Sequence, residues 1–142
     1  MFRPLMFGLM VLAATVAARA EPIEVKMYKN PECGCCEEYA SYLRRHGFRV
    51  TVTPTHNMSL ISRQAGVPEH LAGCHTMTVG GYVVEGHVPV GAINKLLAER
   101  PAIKGISLPG MPEGSPGMTG VKSAPLEVLE IKEGTPKVFY EE

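Results

Sequence analysis

The chain has 142 residues, with 14 basic and 14 acidic side chains, no formal net charge and 45% hydrophobic residues. That balance excludes a nucleic-acid binder, which needs surplus cations against phosphate, and a disordered polyelectrolyte, which lacks apolar groups to bury. Four cysteines are too few for a disulfide-dense miniature, and the length fits one domain.

Residues 1–20 read as an export signal. Arg3 gives a short positive start, and Leu5 to Ala18 is apolar apart from Thr15. That run is shorter than the roughly 18–20 residues needed to cross a bilayer. Ala18-Arg19-Ala20 offers small residues at −3 and −1, so cleavage is expected before Glu21. The domain is then 21–142, with net charge −2 and all four cysteines. The expected setting is the periplasm, where disulfides are permitted, with no stable membrane insertion after cleavage.

Ile23 to Lys29 alternates apolar and polar residues, the period of a half-buried strand. Asn30-Pro31 breaks it, and Cys33-Gly34-Cys35-Cys36 follows. Cys36, Tyr39, Ala40, Tyr42 and Leu43 recur at helical spacing up to Gly47, and Phe48 to Thr53 alternates again. Asn57 is placed to cap a short helix through Ala65. Cys74 to Val79 and Tyr82 to Glu85 flank a Gly80-Gly81 turn and predict a hairpin. Pro89 suits the first turn of a third helix, with Ile93, Leu96 and Leu97 on its apolar face. Pro109 to Gly120 reads as a long ordered loop, and Leu126–Ile131 with Lys137–Tyr140 as a last hairpin across Glu133-Gly134. The expected fold is α/β, in the order β-α-β-α-β-β-α with a C-terminal β-hairpin added. That core order is the thioredoxin order, and in it Cys74 would stand where thioredoxins carry a cis-proline, facing Cys33, Cys35 and Cys36.

A strand running into Cys-x-x-Cys at a helix start has a chemical use. The free N–H groups and partial positive charge there favour thiolate, which is both a nucleophile and a soft-metal ligand. A dithiol enzyme needs only Cys33 and Cys36, and a structural Cys33–Cys36 bridge gives no reason for Cys35. Adjacent residues at a helix start diverge by about 100°, so Cys35 and Cys36 are expected to serve different ions of a multinuclear cluster rather than one tetrahedral ion. Soft, low-coordinate Cu(I) suits bridging thiolates.

Cys33-Gly34-Cys35-Cys36, Gly73-Cys74-His75, Gly80 through Pro89, and Pro109 through Met118 together resemble the CopG-type periplasmic copper-resistance proteins, over about residues 22–141. The resemblance implies a thioredoxin-like fold holding a multi-copper cluster, with Cys33, Cys35, Cys36 and Cys74 as ligands. It also implies a role in interconverting Cu(I) and Cu(II), so Cys33 and Cys36 are the candidate redox pair. Copper ions are the expected cargo, and other periplasmic copper-handling proteins the expected partners. A thiol–disulfide oxidoreductase using Cys33 and Cys36, or a copper carrier without turnover, are the alternatives.

Four further residues join the candidate metal set. His75 adjoins Cys74, although regular strand geometry would aim it to the opposite side. His87 follows the second hairpin strand, at the same end of the sheet as the Cys motif. Met111 and Met118 stand in the long loop, where thioethers can reach Cu(I). His46 is expected at a helix C-terminus, Met27 and Met77 in the core, and Arg44-Arg45 on a solvated helix face; His56 and His70 are assigned no role.

Overall fold

The computed structural model describes residues 20–142, so the segment expected to be an export signal lies, but for Ala20, outside the described residues. Seven strands form one mixed sheet in the order β2-β1-β3-β4-β5-β6-β7. The elements along the chain are β1 (Ile23–Lys29), α1 (Gly34–Arg45), β2 (Phe48–Pro54), α2 (Met58–Gln64), β3 (His75–Val79), β4 (Tyr82–Gly86), α3 (Val90–Glu99), β5 (Gly105–Leu108), β6 (Glu127–Glu130) and β7 (Val138–Glu141). A single 3-10 turn, Glu69–Leu71, lies between α2 and β3. The β-α-β-α-β-β-α order and the C-terminal hairpin are therefore both present.

Strand alternation divides the apolar residues between two layers. Val25, Met27, Met77, Val79, Val84, Ile106 and Val128 face α1 and α3, where Tyr39, Ala40, Leu43, Ile93 and Leu96 complete the main core. Val83 turns the other way and joins Val67, Leu71, Leu129 and Ile131 in a smaller cluster under α2 and the 3-10 turn. Met27 and Met77 are fully buried, as their strand positions required. Asn57 does occupy the N-cap of α2, but its side chain makes no capping bond; the N–H groups of Leu60 and Ile61 donate to its carbonyl instead.

One strand was not foreseen. Gly105–Leu108 pairs parallel with β4, in the register Val83↔Gly105 to Gly86↔Leu108, and antiparallel with β6. It carries the C-terminal hairpin onto the sheet. Its first residue has to be glycine, because a Cβ there would collide with the Val83 carbonyl.

A second close approach fixes the end of β4 beside the cysteines. Gly86 has φ 76°, and a Cβ on it would stand 2.5 Å from the Leu108 carbonyl oxygen; a Cβ on Gly73 would stand 2.9 Å from the Gly86 Cα. Gly86→Ala is expected to destabilise the protein by at least about 1–2 kcal/mol for the left-handed backbone alone. A lower urea midpoint at unchanged m-value would report it.

Candidate metal centre

The cysteine turn is built around a buried cation. Lys29, 2% exposed at the end of β1, donates through Nζ to the carbonyls of Asn30, Pro31 and Cys33 at 3.1, 3.3 and 3.4 Å. It also pairs with Glu37 at 3.1 Å. The Cys33 N–H donates to the Asn30 carbonyl at 3.1 Å. These bonds place Cys33 at the N-cap of α1.

Cys33 and Cys36 form a disulfide, while Cys35 and Cys74 are free and half-buried. Each free sulfur lies against one sulfur of the bridge. Cys35 Sγ is 3.3 Å from Cys33 Sγ, and Cys74 Sγ is 3.5 Å from Cys36 Sγ. All four sulfurs lie within 4.8 Å of one another. Cys35 and Cys36, expected not to share one tetrahedral ion easily, thus have their sulfurs within reach of each other. Their Cα directions diverge along the helix, yet their side chains bring the sulfurs back together. An ion with ~2.3 Å metal–sulfur bonds spaces tetrahedral sulfurs by about 3.8 Å, so this group could close on one ion or on several.

A second group shares Cys74. Its sulfur, His75 and His87 also lie within 4.8 Å of one another. Cys74 precedes β3 rather than belonging to it, so strand alternation does not separate it from His75. The expectation that His75 points away is wrong for that reason, and His75 Nδ1 stands 3.4 Å from Cys74 Sγ. His87 Nδ1 bonds the Pro116 carbonyl at 2.7 Å, and its Nε2 meets Cys74 Sγ at 3.1 Å. Since a carbonyl only accepts, Nδ1 must carry the proton, which leaves Nε2 a lone pair aimed at the sulfur.

Tyr39 packs against both imidazoles. Its ring stacks on His75 with centroids 4.7 Å apart and meets His87 edge-on at 5.2 Å. Its hydroxyl donates to the Val88 carbonyl at 2.7 Å. Behind Cys74, the buried Glu85 accepts the Gly73 N–H at 2.8 Å and the Ser62 hydroxyl at 3.2 Å through Oε1. Its Oε2 has no partner among the described residues. Glu85 thus ties the residue before Cys74 to the floor of the sheet.

Burial shifts the protonation of Cys74, His75 and His87. It pushes the Cys74 thiol up to about 12, with the Cys35 charge adding to the effect, so a metal taking this sulfur displaces a proton. It holds His75 down to about 3, with His87 as a lesser cause, and lowers His87 as well. Folding keeps both imidazoles neutral where the unfolded chain would protonate them. The unfolded state therefore binds more protons from pH 6.5 down to about 3, and stability is lost across that window as pH falls. Burial raises Glu85, an effect of opposite sign. Urea unfolding of the metal-free protein is expected to give a lower midpoint at pH 4.5 than at pH 7, with a slope of up to about 1.4 kcal/mol per pH unit from His75. His75→Phe should flatten that slope.

The long loop reaches the site through its backbone. Pro116 offers its carbonyl to His87, and Gly117, at φ 80°, lies so close to Tyr39 that a Cβ would stand 2.7 Å from its nitrogen. Met111 and Met118 flank that contact in sequence; Met111 is 43% exposed, and the Met118 N–H donates to the Ser115 carbonyl at 2.9 Å. His46 caps α1, its Nδ1 2.8 Å from the Tyr42 carbonyl oxygen.

Two solved structures align with this arrangement over nearly their whole length. One is titled "Copper resistance protein copG- Form 2", with 37% identity, TM-score 0.78, and coverage of 86% of this chain and 99% of the other. The second, "Copper resistance protein copG- Form 1", has 37% identity, TM-score 0.77, and coverage of 86% and 98%. The chain belongs to the CopG family. A family model described as "Protein of unknown function, DUF411" matches residues 71–118, which hold Cys74, His75, His87 and the loop as far as Met118. No curated protein matches the sequence.

Three parts of this CopG-type centre escaped sequence reasoning: Tyr39, Glu85 and the Pro116 carbonyl. The first two looked like ordinary members of a helix and a strand. A main-chain oxygen leaves no mark on residue identity at all. Among the described residues no helix is long and apolar enough to cross a membrane.

Proposed function

We propose that the protein is a periplasmic copper-resistance factor that binds Cu(I) through Cys33, Cys35, Cys36 and Cys74. The observation that carries this reading is the meeting of two soft donor groups at Cys74, four sulfurs on one side and Cys74 with two imidazoles on the other. Thiolates bridge low-coordinate Cu(I), whereas a Cys-His-His set also accommodates Cu(II). Such a centre can hold both oxidation states in one place. His75 and His87 complete the donor set, and Met111 and Met118 bring thioethers in the loop that crosses the site.

Redox turnover follows from the same residues. Oxidation of the Cys33 and Cys36 dithiol to the disulfide releases two electrons and two protons. Two Cu(II) ions accept the electrons and become Cu(I). The reverse flow regenerates the dithiol and leaves Cu(II). Export to the periplasm would set this chemistry beside other copper-handling proteins, with copper itself as the cargo.

A thiol–disulfide oxidoreductase is the second reading, favoured by the bridge between Cys33 and Cys36 at the start of α1. Anaerobic Cu(I) titration of the reduced 21–142 chain against a competing chelator separates the two. Tight uptake of two or more ions per chain is expected. One weakly held ion, or none, would discard the cluster and leave disulfide exchange.

A further inference from the structure

We propose that residues 109–120 form a hinged cover over the donor set of Cys74, His75 and His87, latched by a single hydrogen bond. Both imidazoles are fully buried. A metal ion arrives carrying water or another carrier's ligands, so one of the groups around them has to move. Those groups come from three places. β3 and β4 lie in the middle of the sheet, and Tyr39 belongs to α1, which packs on that sheet. The third is the loop, which belongs to neither layer.

The loop is tied to itself more than to the rest of the protein. The Gly114 N–H donates to the Thr119 carbonyl at 3.1 Å, the Ser115 N–H to Pro112 at 3.2 Å and the Met118 N–H to Ser115 at 2.9 Å. Ser115 is buried, yet its hydroxyl is satisfied inside the loop, by the Pro112 carbonyl at 2.6 Å. Among the described residues, one hydrogen bond joins 109–120 to the rest of the chain, from His87 Nδ1 to the Pro116 carbonyl at 2.7 Å. A segment bonded within itself and held from outside at one point can swing as a unit, because little has to break.

Both ends of the loop suit a hinge. β5 stops at Leu108 and β6 starts at Glu127, so neither end is held in the sheet. Gly110 (φ 82°) and Met111 (φ 48°) are exposed at one end and Gly120 (φ 89°) at the other, and residues 121–125 beyond it are all exposed. The glycines accept the backbone changes that a swing requires. Gly117 against Tyr39 and Pro116 on His87 set the closed position. Opening uncovers His87 and carries Met111 and Met118 along with the cover. That the admitted ion is copper rests on the reading proposed above; the motion itself does not.

The test is histidine modification of the metal-free 21–142 chain with diethyl pyrocarbonate, mapped by mass spectrometry, which cannot be confused with failure to bind copper. His56 and His70, both exposed, are the internal references. His87 is expected to react more slowly than either, at a rate nearly independent of urea below the unfolding transition, because a hinged opening exposes little surface. Gly117→Ala, whose Cβ would stand 2.7 Å from the Tyr39 nitrogen, is expected to lift the cover and speed that reaction about tenfold. No reaction at His87 in the folded protein, or a rate that climbs with urea as steeply as global unfolding, overturns the proposal. So does a folded Gly117→Ala chain that reacts no faster than the wild type. If Gly117→Ala does not fold, the urea series decides alone. Faster Cu(I) uptake by Gly117→Ala, at an unchanged number of ions, is the expected companion result and tests the copper use separately.

Discussion

Cys74→Ser is expected to lower Cu(I) affinity by more than the roughly 10–100-fold that loss of a residue supporting a metal ligand costs, and to reduce the number of ions bound. Cys74 is the one residue common to both donor groups, so its loss opens the four-sulfur set and the Cys-His-His set together. Serine keeps the size but offers a harder, far less acidic donor to a soft ion. Cys35→Ser removes a sulfur from the first group only and should weaken binding less, without touching the imidazole side. Competition with a Cu(I) chelator under anaerobic conditions gives both numbers. Full uptake by both variants would end the cluster reading, because a simple dithiol enzyme needs neither residue.

The largest stability effect is expected at Tyr39. Its side chain is fully buried and supports His75, His87 and the loop at Gly117. Tyr39→Ala leaves a cavity and is expected to cost about 3–5 kcal/mol, by analogy with other buried aromatics. That is a large share of the roughly 5–15 kcal/mol by which domains are stable. Tyr39→Phe keeps the ring and loses only the donor to the Val88 carbonyl, at about 1–3 kcal/mol. Urea or thermal unfolding separates the two costs. If Tyr39→Phe proved as damaging as alanine, the hydroxyl rather than the packed ring would be the main contributor.

Most elements were legible because their periods were clean. β1 alternates in burial from Glu24 to Lys29, and the four cysteines sit where a strand-to-helix turn and a following hairpin bring them together. β5 was not legible, since Gly105–Leu108 is only four residues long and all four are buried. A strand covered on both faces shows no alternation, and here it is enclosed by Lys104 and Pro109. His75 was misjudged because alternation was extended one residue past the strand. Glu85 sits on a strand whose other residues are uncharged, and its exceptional burial depends on Ser62 and Gly73, which approach it only in the fold. Site residues drawn from four separate segments can be named one by one from the sequence, but their contacts cannot.

The cation beneath the cysteine turn has a consequence for the shape of that turn. Because Lys29 and Glu37 hold the carbonyls and first helical turn around Cys33, the backbone there does not depend on the sulfur–sulfur bond for its shape. Breaking that bond is therefore expected to free two side chains and leave the main chain in place. Under the copper reading proposed above, a frame common to the oxidised and reduced forms would keep the rearrangement between them small.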